Sequence, residues 1–319
     1  MKISVVVPTY NRSKDLNDCL DSIISQEYLP VEVLVIDSGK DIQTENLIKE
    51  KESNFKKKGV ILKYIKNNKE NSLTVARNMG IENSTGEIVS FLDDDIVLIK
   101  DYYKETVKFF EENPKAFGMT GRTTSDLKGE NKFKFFVAQI LGRLFFLGFN
   151  EKNKWRVLPS LGVTSSLDNK IINCQWLSGA SVYKKEIFKD FRYDEKLKKY
   201  SWGEDTDFSH RVFKKYPQSL FLNPKVRYIH NLSVTGRIPR KEISYMEEVY
   251  CLYLFYKIIP QTFLNRIIYI WGRLGRIIFK IIKLQFREII FSFMAYFICL
   301  KHLKEIKNGD LDFFNKTLL

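Results

Sequence analysis

The strongest constraint on this chain is the rhythm of its N-terminal part, where short aliphatic runs alternate with segments of helical periodicity. Ile3–Val7, Val31–Ile36, Val60–Ile65 and Glu87–Leu92 read as buried strands. Between them Leu16, Cys19, Leu20, Ile23 and Ile24 recur at helical spacing, Asp41 to Lys58 reads as a solvated helix and turn, and Ser72 to Glu82 as another helix. Strands alternating with helices predict an α/β fold with a mostly parallel sheet and helices on both faces. Such sheets bind ligands beyond the carboxyl ends of their strands. Pro8-Thr9-Tyr10, Asp37 and Asp93-Asp94-Asp95 all fall at predicted strand ends. Three polar clusters are thereby expected to converge on one crevice.

The triplet Asp93–Asp95 is the most demanding of the three. Adjacent carboxylates repel one another unless a cation neutralises them, and oxygen-rich sites suit Mg²⁺ or Mn²⁺, which keep several waters and bind substrate phosphates. The charge balance of the whole chain agrees with an anionic partner. There are 52 Lys+Arg against 38 Asp+Glu, a formal charge of +14. Phosphorylated small molecules or an anionic membrane surface fit that excess. Nucleic acid does not, because no base-stacking or groove-reading module is present.

Five segments in order, VVVPTYNR, VEVLVIDSG, ARNMGIENSTGEIVSFLDDD, LSGASVYKKEIF and WGEDTDFSHR, resemble glycosyltransferase family 2. The resemblance covers residues 1–235. It implies a GT-A fold, with 1–120 as the nucleotide-binding half and 121–235 as the acceptor half. It further implies inverting transfer of a single sugar from a nucleotide-diphosphate sugar to a glycan hydroxyl, with Mn²⁺ or Mg²⁺ as cofactor. By position, Pro8, Thr9 and Tyr10 would line the nucleotide pocket together with Arg12, Asp37 would meet the base, and Arg77 would lie near the nucleotide. Asp93 and Asp95 match the outer members of a DxD motif, Asp93 on the ribose side with Asp94 beside it and Asp95 on the metal. His230 matches a further metal ligand. Glu204-Asp205 resembles the motif whose Asp serves as general base. Such a group is needed because a hydroxyl is a poor nucleophile until a carboxylate takes its proton. Trp176 and Trp202, which flank these motifs, and Gly179 are expected on the acceptor side.

The departures refine the expectation. The resemblance favours a UDP-sugar over a GDP-sugar, but IDSGKD carries one acid where many relatives carry a pair, which leaves base contact on Asp37 alone and weakens that preference. No QxxRW follows the ED pair, where the chain reads RVFKK, which favours single addition over processive synthesis. NR at 11–12 and the ED pair favour a hydroxyl acceptor. A polyprenyl-phosphate sugar synthase is the nearest alternative, and a nucleotide-sugar-binding protein without turnover is another. A nucleotidyltransferase is disfavoured because PTYNRSKD lacks glycine.

Residues 236–319 form a second, helical part. Arg266, Arg273, Arg276, Lys280, Lys283 and Arg287 fall within an arc of about 100° on one continuous helix, with Trp271 and several isoleucines opposite. That pattern predicts an in-plane helix with its basic arc toward anionic headgroups. No apolar run reaches the ~20 residues of a spanning segment. Four cysteines without paired spacing and an N-terminus without an export signal complete the expectation: a cytoplasmic protein, peripheral on the membrane, using a lipid-linked glycan.

Overall fold

The computed structural model describes residues 1–124, 132–231, 233 and 238–318. In chain order the elements are β1 (Ile3–Thr9), α1 (Ser13–Ile24), β2 (Glu32–Asp37), α2 (Gln43–Lys57), β3 (Ile61–Lys66), α3 (Leu73–Asn83), β4 (Ile88–Phe91), β5 (Ile96–Leu98), α4 (Tyr102–Glu112) and β6 (Gly118–Thr123). After these come α5 (Lys132–Leu144), β7 (Phe149–Asn150), β8 (Thr164–Ser165), β9 (Ile172–Asn173), β10 (Ser181–Lys184), α6 (Glu204–Lys215) and β11 (Leu220–His230). The C-terminal helices are α7 (Arg240–Ile258), α8 (Phe263–Ile282), α9 (Phe286–Lys301), α10 (Leu303–Lys307) and α11 (Asp312–Leu318).

Among the described residues a nine-stranded sheet runs in the order β3-β2-β1-β4-β10-β6-β11-β5, with β9 paired to β11. β3, β2, β1 and β4 are parallel, as the alternation predicts, whereas β10 is antiparallel to both β4 and β6. The expected strands appear within one residue at each end, except that β1 runs two residues beyond its expected end at Val7. β1 continues through Pro8, which pairs in register with Ile36. Proline lacks a ladder donor but its fixed φ suits extended backbone, and here it stands next to the strand's end.

Side chains of β1 and β2 alternate strictly between two cores, as strand geometry requires. Val5, Val7, Val33 and Val35 face one cluster with Leu16, Leu20 and Phe109, while Val6, Leu34 and Ile36 face another with Ala76, Phe91 and Phe208. A third cluster joins Leu197 and the half-buried Trp202 to Met246, Val249, Tyr250 and Leu254 of α7. The C-terminal helices are therefore packed into the same body as the sheet. The expected domain boundary at residue 235 lies outside the described residues.

The tail departs from its expectation. The continuous helix from Arg266 to Arg287 is broken after Ile282, where Leu284 takes a left-handed φ of 55°, and α9 begins at Phe286. The basic arc also faces inward at its centre. Arg273 is buried, its guanidinium 3.3 Å from Glu248 and 2.8 Å from the Ser160 carbonyl. Arg276 pairs with Glu247, and Lys280 reaches Glu247 at 3.5 Å and the Ser292 hydroxyl at 2.6 Å. The physical reason lies on α7, whose adjacent Glu247 and Glu248 need counter-charges once that helix enters the core. No helix among the described residues is long and apolar enough to cross a membrane.

Removing one partner of a buried pair is expected to cost about 3–5 kcal/mol, because the other charge stays buried alone. Glu248→Leu should therefore lower the urea midpoint sharply. Glu248→Leu combined with Arg273→Met should recover most of the loss. Equal midpoints for the single and double variants would contradict the pairing.

Candidate active site

The carboxyl end of β4 leads through Leu92 into Asp93-Asp94-Asp95, a tight turn before β5. The three carboxylates are sorted by their partners. Asp94 turns inward and is 3% exposed, accepting from the Thr9 hydroxyl at 2.8 Å and from Arg12 at 3.1 Å. Burial pushes its carboxyl up to about 7 against the pull of Arg12 and Thr9. It ties the β1 end to the β4 end. Asp93 meets Arg77 at 3.1 Å. Asp95 lies 3.1 Å from Nε2 of His230 and accepts from the Ser233 amide at 3.0 Å. Burial pushes its carboxyl upward, but His230 and Ser233 outweigh that and hold it below the usual range.

His230 reaches this place through sheet pairing. It ends β11, and the antiparallel ladder sets it opposite Ile96, next to Asp95. One ligand atom each from Asp93, Asp95 and His230 lie within 4.8 Å of one another. Two carboxylates and an imidazole fit a divalent cation of the Mn²⁺ or Mg²⁺ kind, with room for water and phosphate oxygens.

Arg77 of α3 joins this cluster to the N-terminus of α6. It is 1% exposed, donating from one nitrogen to Glu204 at 2.8 Å and from the other to Asp93 at 3.1 Å, with its guanidinium 5.2 Å from the Tyr193 ring centre. Glu204 and Asp205 open α6 after Gly203, whose φ of 84° is costly for any side-chain-bearing residue. Burial pushes both carboxyls up, and each is opposed by Arg77 and reinforced by nearby Asp93. One oxygen of Asp205 accepts from the Thr206 amide at 2.7 Å, and the residue is half-buried. A carboxylate that is partly accessible, raised in basicity and fixed on a helix start is equipped to accept a proton.

The remaining expected residues are distributed as follows. Pro8 and Thr9 are buried at the β1 end, and Tyr10 and Arg12 are half-buried beside them. Asp37 is fully buried and accepts from the Gly39 amide at 2.7 Å, the Tyr64 hydroxyl at 2.8 Å and Lys66 at 3.0 Å. It shapes the loop after β2 through those donors. Gly179 approaches the cluster so closely that a Cβ there would stand 3.0 Å from Asp93 Oδ2 and 3.3 Å from Arg77. Trp176 stacks on Trp155 at 5.2 Å and donates to the Thr164 carbonyl, while Trp202 packs against the C-terminal helices. The structure thus brings together Arg77, Asp93, Asp95, Gly179, Glu204, Asp205 and His230. It commits Asp37, Asp94 and the two tryptophans to protein partners.

Two contributors were not anticipated. Tyr193 floors the Arg77 guanidinium. Asp207, fully buried two residues past Asp205, pairs with Arg211 at 2.8 Å and Lys257 of α7 at 2.9 Å. The spacing of Asp207 and Arg211 was a visible helical pair. Nothing local marks Lys257 as its partner.

Comparison with known proteins follows this geometry. The sequence profile described as glycosyl transferase family 2 matches residues 4–177. "Glycosyltransferase GlyA" of Streptococcus pneumoniae is 30% identical over 251 residues, covering 76% of this chain and 31% of its own length. The chain thus spans about a third or less of the first curated relatives it matches. Among solved structures, the mannosyltransferase PcManGT from Pyrobaculum calidifontis, in complex with GDP-Man and Mn²⁺, superposes with a TM-score of 0.57 at 15% identity, over 94% of this chain and 75% of that one. S. aureus TarS 1-349, in complex with UDP-GlcNAc, gives 0.56 at 17% identity, over 98% and 89%. At such identities the likeness establishes the fold, which is GT-A with added C-terminal helices.

Mn²⁺ titration followed by electron paramagnetic resonance should register binding by the wild-type chain and none by Asp95→Ala. Gly179→Ala, which pushes on Asp93 without removing a ligand, should weaken affinity about 10–100-fold. Both variants should keep a cooperative thermal transition. Unchanged Mn²⁺ affinity in Asp95→Ala would remove this residue from the cation site.

Proposed function

The chain belongs to glycosyl transferase family 2, and from that premise we propose that it is a divalent-cation-dependent, inverting glycosyltransferase that adds one sugar to a glycan hydroxyl. The observation that carries the reading is the Arg77 bridge. It joins a cation-fitting cluster at the β4 end to Glu204 at the start of α6, next to Asp205, whose carboxyl is raised.

The donor is a nucleotide-diphosphate sugar, with UDP-sugars ahead of GDP-sugars. Asp205 takes the proton of the acceptor hydroxyl as its oxygen bonds to the anomeric carbon, and the bond from that carbon to the diphosphate breaks on the opposite face. The proton ends on Asp205 and the bonding pair on the nucleoside diphosphate. Because attack and departure use opposite faces, the anomeric centre inverts. Asp93, Asp95 and His230 would hold the cation, Mn²⁺ or Mg²⁺, which supplies charge neutralisation for the departing diphosphate. Arg77 keeps Asp93 and Glu204 in fixed relation, so Asp205 needs little reorganisation to reach the acceptor.

In this reading the acceptor glycan is carried on a lipid, and the enzyme works as a peripheral protein at the cytoplasmic face of a membrane. The apolar exposure of the C-terminal helices supports that location. The chain's RVFKK after the ED pair supports single addition.

A panel of nucleotide sugars, screened for Mn²⁺-dependent binding and donor hydrolysis, should identify the donor. With that donor, Asp205→Asn should keep binding within a few-fold and lose about 10²–10⁴-fold in transfer. Transfer near the wild-type rate would move the base elsewhere, with Glu204 the next residue to test.

A further inference from the structure

The helices α8 and α9 leave a surface that the folded chain does not cover. From Phe263 to Lys301, every exposed residue is either apolar or basic. Phe263 is 82% exposed, Phe297 70% and Leu300 73%, and Trp271 and Phe293 are exposed as well. The C-terminal end of α5 adjoins it, because the Trp271 indole donates to the Leu144 carbonyl at 2.8 Å. Phe136 and Ile140 of α5 are exposed as well. A monomeric soluble protein rarely leaves an apolar patch of this extent to water.

The charges decide what covers it. The exposed charges of this segment are Arg266, Lys283, Arg287 and Lys301, all positive. The acids that could have balanced them are engaged elsewhere: Glu247 and Glu248 hold Arg276, Lys280 and Arg273 beneath α8, and Glu288 meets Arg240 at 3.0 Å. A second copy docked through the same face would set this cationic rim against itself, since a two-fold interface is self-complementary. An anionic lipid surface matches both features, offering headgroups to the rim and acyl chains to the aromatic and aliphatic face.

We propose that α5, α8 and α9 form a bilayer-docking face on this chain, in which the apolar sides of the helices enter the interface and the rim cations meet anionic headgroups. The orientation is the reverse of an amphipathic helix lying with its basic arc outward. Here the central basic residues are internal ion pairs that hold α8 onto α7, and that frees the apolar side to face the lipid. This placement deepens the peripheral location given above and is independent of the sugar chemistry.

The test uses the full chain with vesicles of phosphatidylcholine, with and without phosphatidylglycerol. Wild-type protein should co-sediment with the anionic vesicles and be partly released by salt. Phe293→Glu with Phe297→Glu should lower retention about tenfold or more, since two aromatic side chains no longer leave water. Lys283→Gln with Arg287→Gln should reduce the phosphatidylglycerol dependence. Should the Phe variant fail to melt cooperatively, brominated lipids decide on unaltered protein. They should quench a fluorescence component that Trp271→Phe lacks, and absence of that quenching overturns the proposal. It is likewise overturned if wild-type protein stays in the supernatant at low salt, if the Phe variant binds like wild type, or if sedimentation velocity reveals a dimer that the Phe substitutions dissolve. Loss of vesicle binding with transfer to a soluble acceptor intact would sink the docking face and leave the enzymatic reading standing.

Discussion

A guanidinium with almost no exposed surface is tolerated in a protein only where partners meet its donors and its charge. Arg77 meets two, Asp93 from the turn after β4 and Glu204 from the start of α6. Asp93 and Glu204 lie far apart in the chain, so the bridge forms only when the turn after β4 and the start of α6 have docked. Leaving such a charge unpaired would cost several kcal/mol. The same bridge sets the geometry of the site. It spaces the cation cluster from the helix that carries Asp205, and it stacks over Tyr193, whose ring belongs to the aromatic core under α6. Geometry and stability of the site therefore share one interaction.

Much of this was legible from residue order. The alternation of strands and helices from Ile3 to Leu92 sufficed for the parallel sheet, and the rule that ligands gather at carboxyl ends located Asp93, Asp95 and the β1 end. The division of labour within Asp93–Asp95 was not legible. Which carboxylate faces inward depends on the geometry of the turn, and it is Asp94 that closes onto Thr9 and Arg12. His230 was identifiable as a position, yet its nearness to Asp95 comes from the antiparallel pairing of β11 with β5. Asp37 sits where expected at a strand end. Its Gly39 donor is local, but Tyr64 and Lys66 reach it only through the β2–β3 register.

The C-terminal helices show the limit of periodicity most plainly. Spacing alone puts six basic residues on one arc but cannot tell which side of the arc turns inward. With no acid between Arg266 and Arg287 that arc reads as facing anionic headgroups; the counter-charges stand on the preceding helix, at Glu247 and Glu248. Once those pairs form, Ile267, Ile270, Trp271, Ile281 and Ile282 are left outside. Lys257 of α7 extends the coupling further, binding Asp207 two residues beyond Asp205. The helical part thus helps to fix α6 as well as presenting a surface of its own.

The central claim is a single displacement at the anomeric carbon, with Asp205 receiving the acceptor proton. Its most direct test is the stereochemistry of the product. Proton NMR of the glycan formed from an α-linked nucleotide sugar reports the new linkage through its anomeric coupling constant. The account predicts a β-linked product. An α-linked product would contradict it, because retention requires either a covalent intermediate or front-face attack, and neither uses Asp205 in the role assigned here.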